Sequence, residues 1–270
     1  AITNNLNFSS PENPVGFWQL SMSCKGITNA CIAFNTPVTG GNVSLYNDTK
    51  LSNNTVIPIH PTPVIGMVGL VEDINKICKK SWVESGDQIW MIGLPLETNR
   101  EPDNRISLAA SSFLEYVHGL KTGRPPEIDL HLEKQVNLFL RNIINEGIIN
   151  SAHDLSDGGL AVAIAECCIA SGYGANIMLP PSKSRLDRLL FAEGGARVLV
   201  SCSTKQSLEL KKYYKNNFLQ EANVFSISHL GTVDNQKKLL VSQGDILIID
   251  VNIKDLKDIY KDTIHKKIIK

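Results

Sequence analysis

The segment Pro37-Val-Thr-Gly-Gly-Asn-Val-Ser-Leu-Tyr-Asn47 holds the residue types that a phosphate and its counter-ion need. Consecutive Gly40 and Gly41 let backbone N–H groups approach an anion with no Cβ in the way. Asn42 follows with a carboxamide oxygen of the kind a hard cation such as Mg2+ accepts. Ser44 lies two residues further on, so in an extended strand its hydroxyl shares a face with Asn42. No Gly-Lys-Ser/Thr follows, so this is not a Walker loop. A plainer reading, a glycine bulge leading into a polar strand, stays open.

Two further segments carry reactive groups. In Ser151-Ala-His-Asp-Leu-Ser-Asp-Gly-Gly-Leu160, the residues Asp154, Ser156 and Asp157 are N-cap candidates for a helix starting after Gly159. Gly158-Gly159 would leave that helix start open to an anion. The alternative is an ordinary capped helix with His153 satisfied by a neighbouring turn. Adjacent His153 and Asp154 do not by themselves make a proton shuttle, since neighbouring side chains need not face each other. In Glu193-Gly-Gly-Ala-Arg197, the two charges could bind a polar ligand or form a surface ion pair beside a turn. The remaining histidines show no ligand spacing such as HExxH.

These residues need strands and helices to hold them. Phe17 to Phe34 has near-helical apolar spacing, and Pro37 stops it before a strand over Val38–Tyr46. Lys50–Thr55 reads as a polar hairpin-like excursion and Thr62–Val71 as an apolar strand. Residues 1–15, rich in Asn, Ser and Pro, read as a loop after a strand or a strand end. Rising charge and the Ser85-Gly-Asp87 turn signal place a boundary near Glu72–Gly86. Beyond it come a strand at Gln88–Leu94, a polar loop at Pro95–Arg105, and helices over Ile106–His118, Leu130–Glu146 and Gly159–Ser171. The last third alternates strands at Ala175–Leu179, Ala196–Cys202, Val224–Ile227, Lys238–Val241 and Ile246–Val251 with helices at Ser207–Asn216 and Ile253–Ile268. The class is mixed α and β, with a small N-terminal unit and a larger C-terminal one.

Composition narrows the function classes. With 270 residues, 43% hydrophobic and 20% charged, the chain can bury a core and is not wholesale disordered. Its 27 basic residues balance 27 acidic ones, which argues against a dedicated nucleic-acid binder. No apolar run approaches the roughly 20 residues that cross a bilayer, so no membrane span is expected. Six cysteines without a CxxC spacing read as reduced, buried thiols of a cytoplasmic protein. The opening Ala1-Ile-Thr-Asn4 lacks an initiator Met and a leader, so the chain is expected to be a piece of something longer or a processed product.

Taken together, Ala1-Ile-Thr-Asn-Asn-Leu-Asn-Phe8, Thr36–Asn47, Pro61-Thr-Pro-Val-Ile-Gly-Met-Val-Gly69 and Ser151–Ala161 resemble phosphoribosylformylglycinamidine synthase, the large synthetase subunit of purine biosynthesis. The order and spacing agree over essentially the whole chain. Phe17-Trp-Gln-Leu20 and Phe191–Arg197 look most like cyanobacterial-type members.

The resemblance implies an α+β, aminoimidazole-ribonucleotide-synthetase-like fold, with the end of a second A domain over 1–80 followed by a complete second B domain over 81–270. It implies a ligase that converts formylglycinamide ribonucleotide, ATP and glutamine-derived ammonia to the amidine, ADP and phosphate. Mg2+ is the implied metal. The implied partners are a glutaminase subunit, a small accessory subunit and the missing N-terminal portion of the same subunit. By residue, Gly41 and position 4 match ATP contacts, Asn42 a Mg2+ ligand and Ser44 a substrate contact. Position 4 is an aspartate in the family and Asn4 here, which removes a negative charge but keeps an oxygen acceptor. No catalytic residue is assigned, since the family's catalytic histidines belong to its first copy. The isolated piece is expected to be inactive, with a non-catalytic structural or nucleotide-binding half as the rival reading.

Overall fold

Pro14 suits the first position of a helix, where a missing N–H costs nothing, and Asn13 before it offers a capping oxygen. The computed structural model shows the result: helix α1 (Pro14–Phe34) begins with Val15 N donating to Asn13 Oδ1 at 2.9 Å and ends at a left-handed Asn35. The structure describes residues 1–97, 103–218 and 224–268, without the side chains of 264–266. The expected loop over Pro95–Arg105 therefore lies partly outside the described residues. The chain forms two units, Ala1–Ile74 and Asn75–Lys270.

In the first unit, α1 connects β1 (Ile2–Asn7) to β2 (Val38–Ser44), and the two strands pair in parallel. β5 (Thr62–Met67) pairs antiparallel on the other side of β1, so the sheet order is β2-β1-β5. β3 (Asp48–Lys50) and β4 (Val56–Pro58) form a separate hairpin where the polar excursion was expected. Within the stretch expected to be a loop or a strand end, Ile2–Asn7 is a full strand and the central one of the sheet. Four polar residues among its six hide the strand; Ile2 and Leu6 alone mark its buried face, followed by Phe8. Most other apolar side chains of this unit are exposed, including Phe17, Trp18, Val64, Ile65 and Met67.

The second unit is built on a seven-stranded sheet. Its strands are β6 (Gln88–Gly93), β7 (Ser151–Asp154), β8 (Gly174–Leu179), β9 (Arg197–Cys202), β10 (Ser226–Asp234), β11 (Lys238–Gln243) and β12 (Ile246–Asn252). Their order is β12-β11-β8-β10-β6-β9-β7, antiparallel except at β11–β8. The helices are α2 (Ser112–His118), α3 (Leu130–Asn145), α4 (Gly159–Ser171), α5 (Leu186–Phe191), α6 (Thr204–Phe218) and α7 (Ile253–Ile268). β6 is apolar on both faces because both are covered. Ile89 and Met91 join the cluster with Leu160, Ile164 and Cys168 of α4, while Trp90 and Ile92 join the one with Val136 and Phe139 of α3 and Leu210 of α6. Trp82 is also buried, and its Nε1 donates to Cys168 Sγ at 3.5 Å.

Several boundaries differ from expectation. The helix read over Ile106–His118 begins only at Ser112, because Ser111 caps it and Ala110 is left-handed. Ser107 meanwhile pairs with Glu193 in a short bridge. The strand read at Val224–Ile227 is in fact β10, and it continues past Gly231. A Cβ at Gly231 would fall onto Asn176 O, so the close approach of β8 requires glycine there. β7 and α5 were not among the elements expected from the sequence.

Candidate functional site

The parallel register of β1 and β2 sets Asn4 beside Gly41, Asn5 beside Asn42 and Asn7 beside Ser44. Paired residues in a parallel ladder share a face, so the sequence-selected residues divide between two faces. Asn42 and Ser44 lie on one, with Asn5 and Asn7. Asn4 lies on the other, against Gly41. Neither Gly40 nor Gly41 has a positive φ. The register irregularity between Ile2 and Thr3 skips Thr39 on β2, so a bulge lies immediately before Gly40, and the two glycines themselves pair regularly with Thr3 and Asn4.

The two glycines differ in what surrounds them. A Cβ at Gly40 would meet nothing within 4 Å, whereas one at Gly41 would fall onto Asn4 Oδ1 and lie 2.6 Å from Asn4 O. Gly41 is thus required by the close approach of Asn4. Phe8 N donates to Ser44 O at 3.0 Å, which turns the backbone groups of Ser44 toward β1. By alternation, Asn42 faces β1 and Gly41 turns its N–H outward along the free edge of β2. An edge N–H with no side chain beside it is what an approaching phosphate needs.

On the Asn42 face the polar groups are oriented by one another. Asn42 Nδ2 donates to Asn5 Oδ1 at 3.1 Å. Ser44 Oγ donates to Asn47 Oδ1 at 3.2 Å, and Asn47 Nδ2 donates back to Ser44 O and Oγ, each at 3.0 Å. Asn5 and Asn47 were not singled out from sequence, and only their asparagine-rich surroundings hinted at them. Among the described residues no group of three or more His, Cys, Asp or Glu could hold a metal. The residues fit Mg2+ only as a single carboxamide donor, Asn42 Oδ1, leaving the other positions to water and phosphate oxygens.

The other two segments meet each other in the second unit. Gly158, with φ 78°, is the N-cap of α4 and supplies no side chain, so the expected caps Asp154, Ser156 and Asp157 are corrected. Glu193 performs the role instead: its Oε1 accepts from Gly158 N and from Ser112 N, both at 2.8 Å. This carboxylate takes up the Gly158 amide of the helix start that was expected to be open. The expected surface ion pair of Arg197 is also corrected. Arg197 is buried and donates to Ala192 O at 2.7 Å and Gly194 O at 3.0 Å. Burial pushes its guanidinium pKa down to about 10, against a smaller opposing effect of Glu193.

His153 and Asp154 do face each other, with Nδ1 3.3 Å from Asp154 Oδ1. His153 Nε2 lies 2.7 Å from Glu166 Oε2, which Lys80 Nζ also approaches at 3.4 Å. Burial raises the Glu166 pKa, but the His153 hydrogen bond and the Lys80 charge outweigh it and hold the carboxyl below its ordinary range. Glu166 carried one sequence signal, as the lone charge in an otherwise apolar helix.

Residues 1–71 match the family described as AIR synthase related protein, N-terminal domain, and residues 84–241 match AIR synthase related protein, C-terminal domain. The chain is 82% identical over 270 residues to the phosphoribosylformylglycinamidine synthase subunit PurL of Prochlorococcus marinus (strain NATL1A), covering all of this chain and 34% of that relative. The chain thus spans about a third of the length of the curated relatives it matches. Among solved structures it resembles Thermotoga maritima PurL complexed with FGAR, with a TM-score of 0.67 and 18% identity over 95% of this chain and 39% of that one. The same protein complexed with ATP gives a TM-score of 0.63 and 15% identity over 94% and 37%. These structural likenesses show the fold.

Proposed function

The chain belongs to the AIR synthase related proteins, and from that membership we propose that it acts as a segment of the synthetase subunit of phosphoribosylformylglycinamidine synthase. The reaction phosphorylates the amide oxygen of formylglycinamide ribonucleotide with the γ-phosphate of ATP. Ammonia then adds at that carbon and phosphate leaves with the former amide oxygen, giving the amidine, ADP and phosphate. The overlap with the PurL named above supports this reading, as do the FGAR and ATP complexes of the Thermotoga protein.

The observation that carries the assignment is the β1–β2 strand pair. Gly41 offers an edge N–H to a phosphate, Asn42 offers Oδ1 to the cation, and Ser44 holds its hydroxyl fixed by Asn47 for the ribonucleotide. Asn4 keeps an oxygen beside Gly41, where its carboxamide can accept a hydrogen bond near the nucleotide. Mg2+, when bound, neutralises phosphate charge, and the chain's own contribution is positioning. In this reading the working partners are the remaining length of the subunit, a glutaminase subunit that delivers ammonia and a small accessory subunit, all in the cytoplasm. The 270 residues alone are inactive because they hold one wall of the site. Among the described residues no helix is long and apolar enough to cross a membrane.

In a full-length synthetase carrying this segment, Asn42→Ala should lower turnover at limiting Mg2+ at least tenfold, about 1.4 kcal/mol. Unchanged steady-state kinetics at limiting Mg2+ would defeat the assignment. A second reading, a non-catalytic half kept for packing and docking, draws on Asn4 in place of the family aspartate. Calorimetry with Mg-ATP separates the two: binding once the rest of the subunit is added supports the shared site, and none in either state supports scaffolding.

A further inference from the structure

We infer that Asn5 is the positioning residue that fixes the Asn42 carboxamide with its oxygen toward the cation. The inference rests on the reading of Asn42 as a metal ligand and adds a residue which that reading does not include. A carboxamide can sit either way round, and only one orientation offers an oxygen; the other presents an NH2 whose partial positive charge repels a metal. The strand register makes Asn5 the direct neighbour of Asn42 on the same face. Asn42 Nδ2 donates to Asn5 Oδ1 at 3.1 Å, so the NH2 end is held toward β1 and Oδ1 is left outward. Among the described residues Asn42 Oδ1 has no hydrogen-bond partner. Both side chains are exposed, so packing does not impose this orientation and the hydrogen bond must. Ser44 and Asn47 repeat the arrangement two residues along, each functional group being turned by a neighbouring carboxamide.

The test uses Mn2+ as the probe, followed by electron paramagnetic resonance in a full-length synthetase with ADP present. Asn42→Ala first identifies which Mn2+ site belongs to this strand. Asn5→Ala should weaken that same site about tenfold, the usual scale for removing a group that orients a metal ligand. Asn5→Asp keeps the acceptor for Asn42 Nδ2 and should bind Mn2+ at least as tightly as the parent. In the Asn42→Ala background, Asn5→Ala should have no further effect. If Asn42→Ala weakens a site and Asn5→Ala leaves it unchanged, the role of Asn5 is overturned. A full effect of Asn5→Ala in the double variant overturns it as well, since Asn5 would then act elsewhere. If Asn42→Ala changes no Mn2+ site, the underlying ligand reading fails instead. A thermal melt of each variant distinguishes lost binding from lost folding, and Asn5→Asp provides the folded comparison.

Discussion

Replacing Glu193 with alanine removes one carboxylate oxygen from two helix starts at once. Both Gly158 N and Ser112 N donate to Glu193 Oε1 at 2.8 Å. Hydrogen bonds to charged groups are worth about 1.5–3 kcal/mol each, and loss of a cap costs about 1 kcal/mol. Because the two donors share one acceptor, the combined loss should be about 2–4 kcal/mol rather than the full sum of both. For a domain of this size each kcal/mol lowers Tm by about 2–4 °C, so Glu193→Ala should melt about 5–15 °C lower. Glu193→Gln keeps an oxygen in the same place and loses only the charge, so it should cost about 1 kcal/mol. The main-chain exchange between Ser107 and Glu193 is untouched by either variant, which isolates the carboxylate. Far-UV circular dichroism melts and urea midpoints of the two variants against the parent make the measurement. A Glu193→Ala melt within 1–2 °C of the parent, roughly the ±0.5 kcal/mol of an ordinary surface change, would refute the shared-cap account. So would a Gln variant as unstable as the Ala variant, since geometry would then not be what matters.

Gly41→Ala and Gly40→Ala should behave differently although the residues are adjacent. The first drives a Cβ into Asn4 and should cost about 1–3 kcal/mol in a denaturant titration, while the second meets open space and should be near neutral. Equal effects would contradict the close-approach explanation. Acid titration offers a further check through Glu166, whose folded pKa lies below the ordinary 4.5 despite partial burial, owing to His153 and Lys80. A carboxyl with a depressed folded pKa contributes stability that is complete above its unfolded value and is lost as pH falls through the folded one. The parent should therefore lose stability below about pH 4.5 more steeply than Glu166→Gln. Parallel acid limbs for the two proteins would refute the ion-pair assignment.

Elements whose boundaries are punctuated by the chain's own residues were legible in the sequence. α4 matches its expected span because an apolar stretch with Glu166 as its lone charge runs between Gly158 and Gly172, both left-handed. α1 was visible from its spacing and from Pro37 beyond it, with its true start one turn earlier at Pro14. Elements that depend on distant neighbours were not legible. β1 does not read as a central strand because four of its six residues are polar and only Ile2 and Leu6 are buried. β7 is a short edge strand whose identity comes from pairing with β9, nearly fifty residues later. For the site, β2 alone showed a glycine pair, an amide and a hydroxyl, but not that Asn4 and Asn42 would occupy opposite faces, which needs the register with β1. The same limit hid Glu193: nothing local to Gly158 indicates that its amide is capped from a residue 35 positions away.

The three tryptophans are distributed so that each unit carries its own optical label. Trp18 stands on α1 at 62% exposure, whereas Trp82 and Trp90 are 3% and 5% exposed in the larger unit. An indole in water emits at longer wavelength than one enclosed by hydrocarbon, so the native spectrum is a sum of a red component from the first unit and a blue one from the second. Loosening of the larger unit shifts the blue component alone, and docking of any molecule over α1 shifts the red one. The order in which the two units open, or which of them a ligand touches, can thus be followed from the chain's intrinsic emission without an added dye.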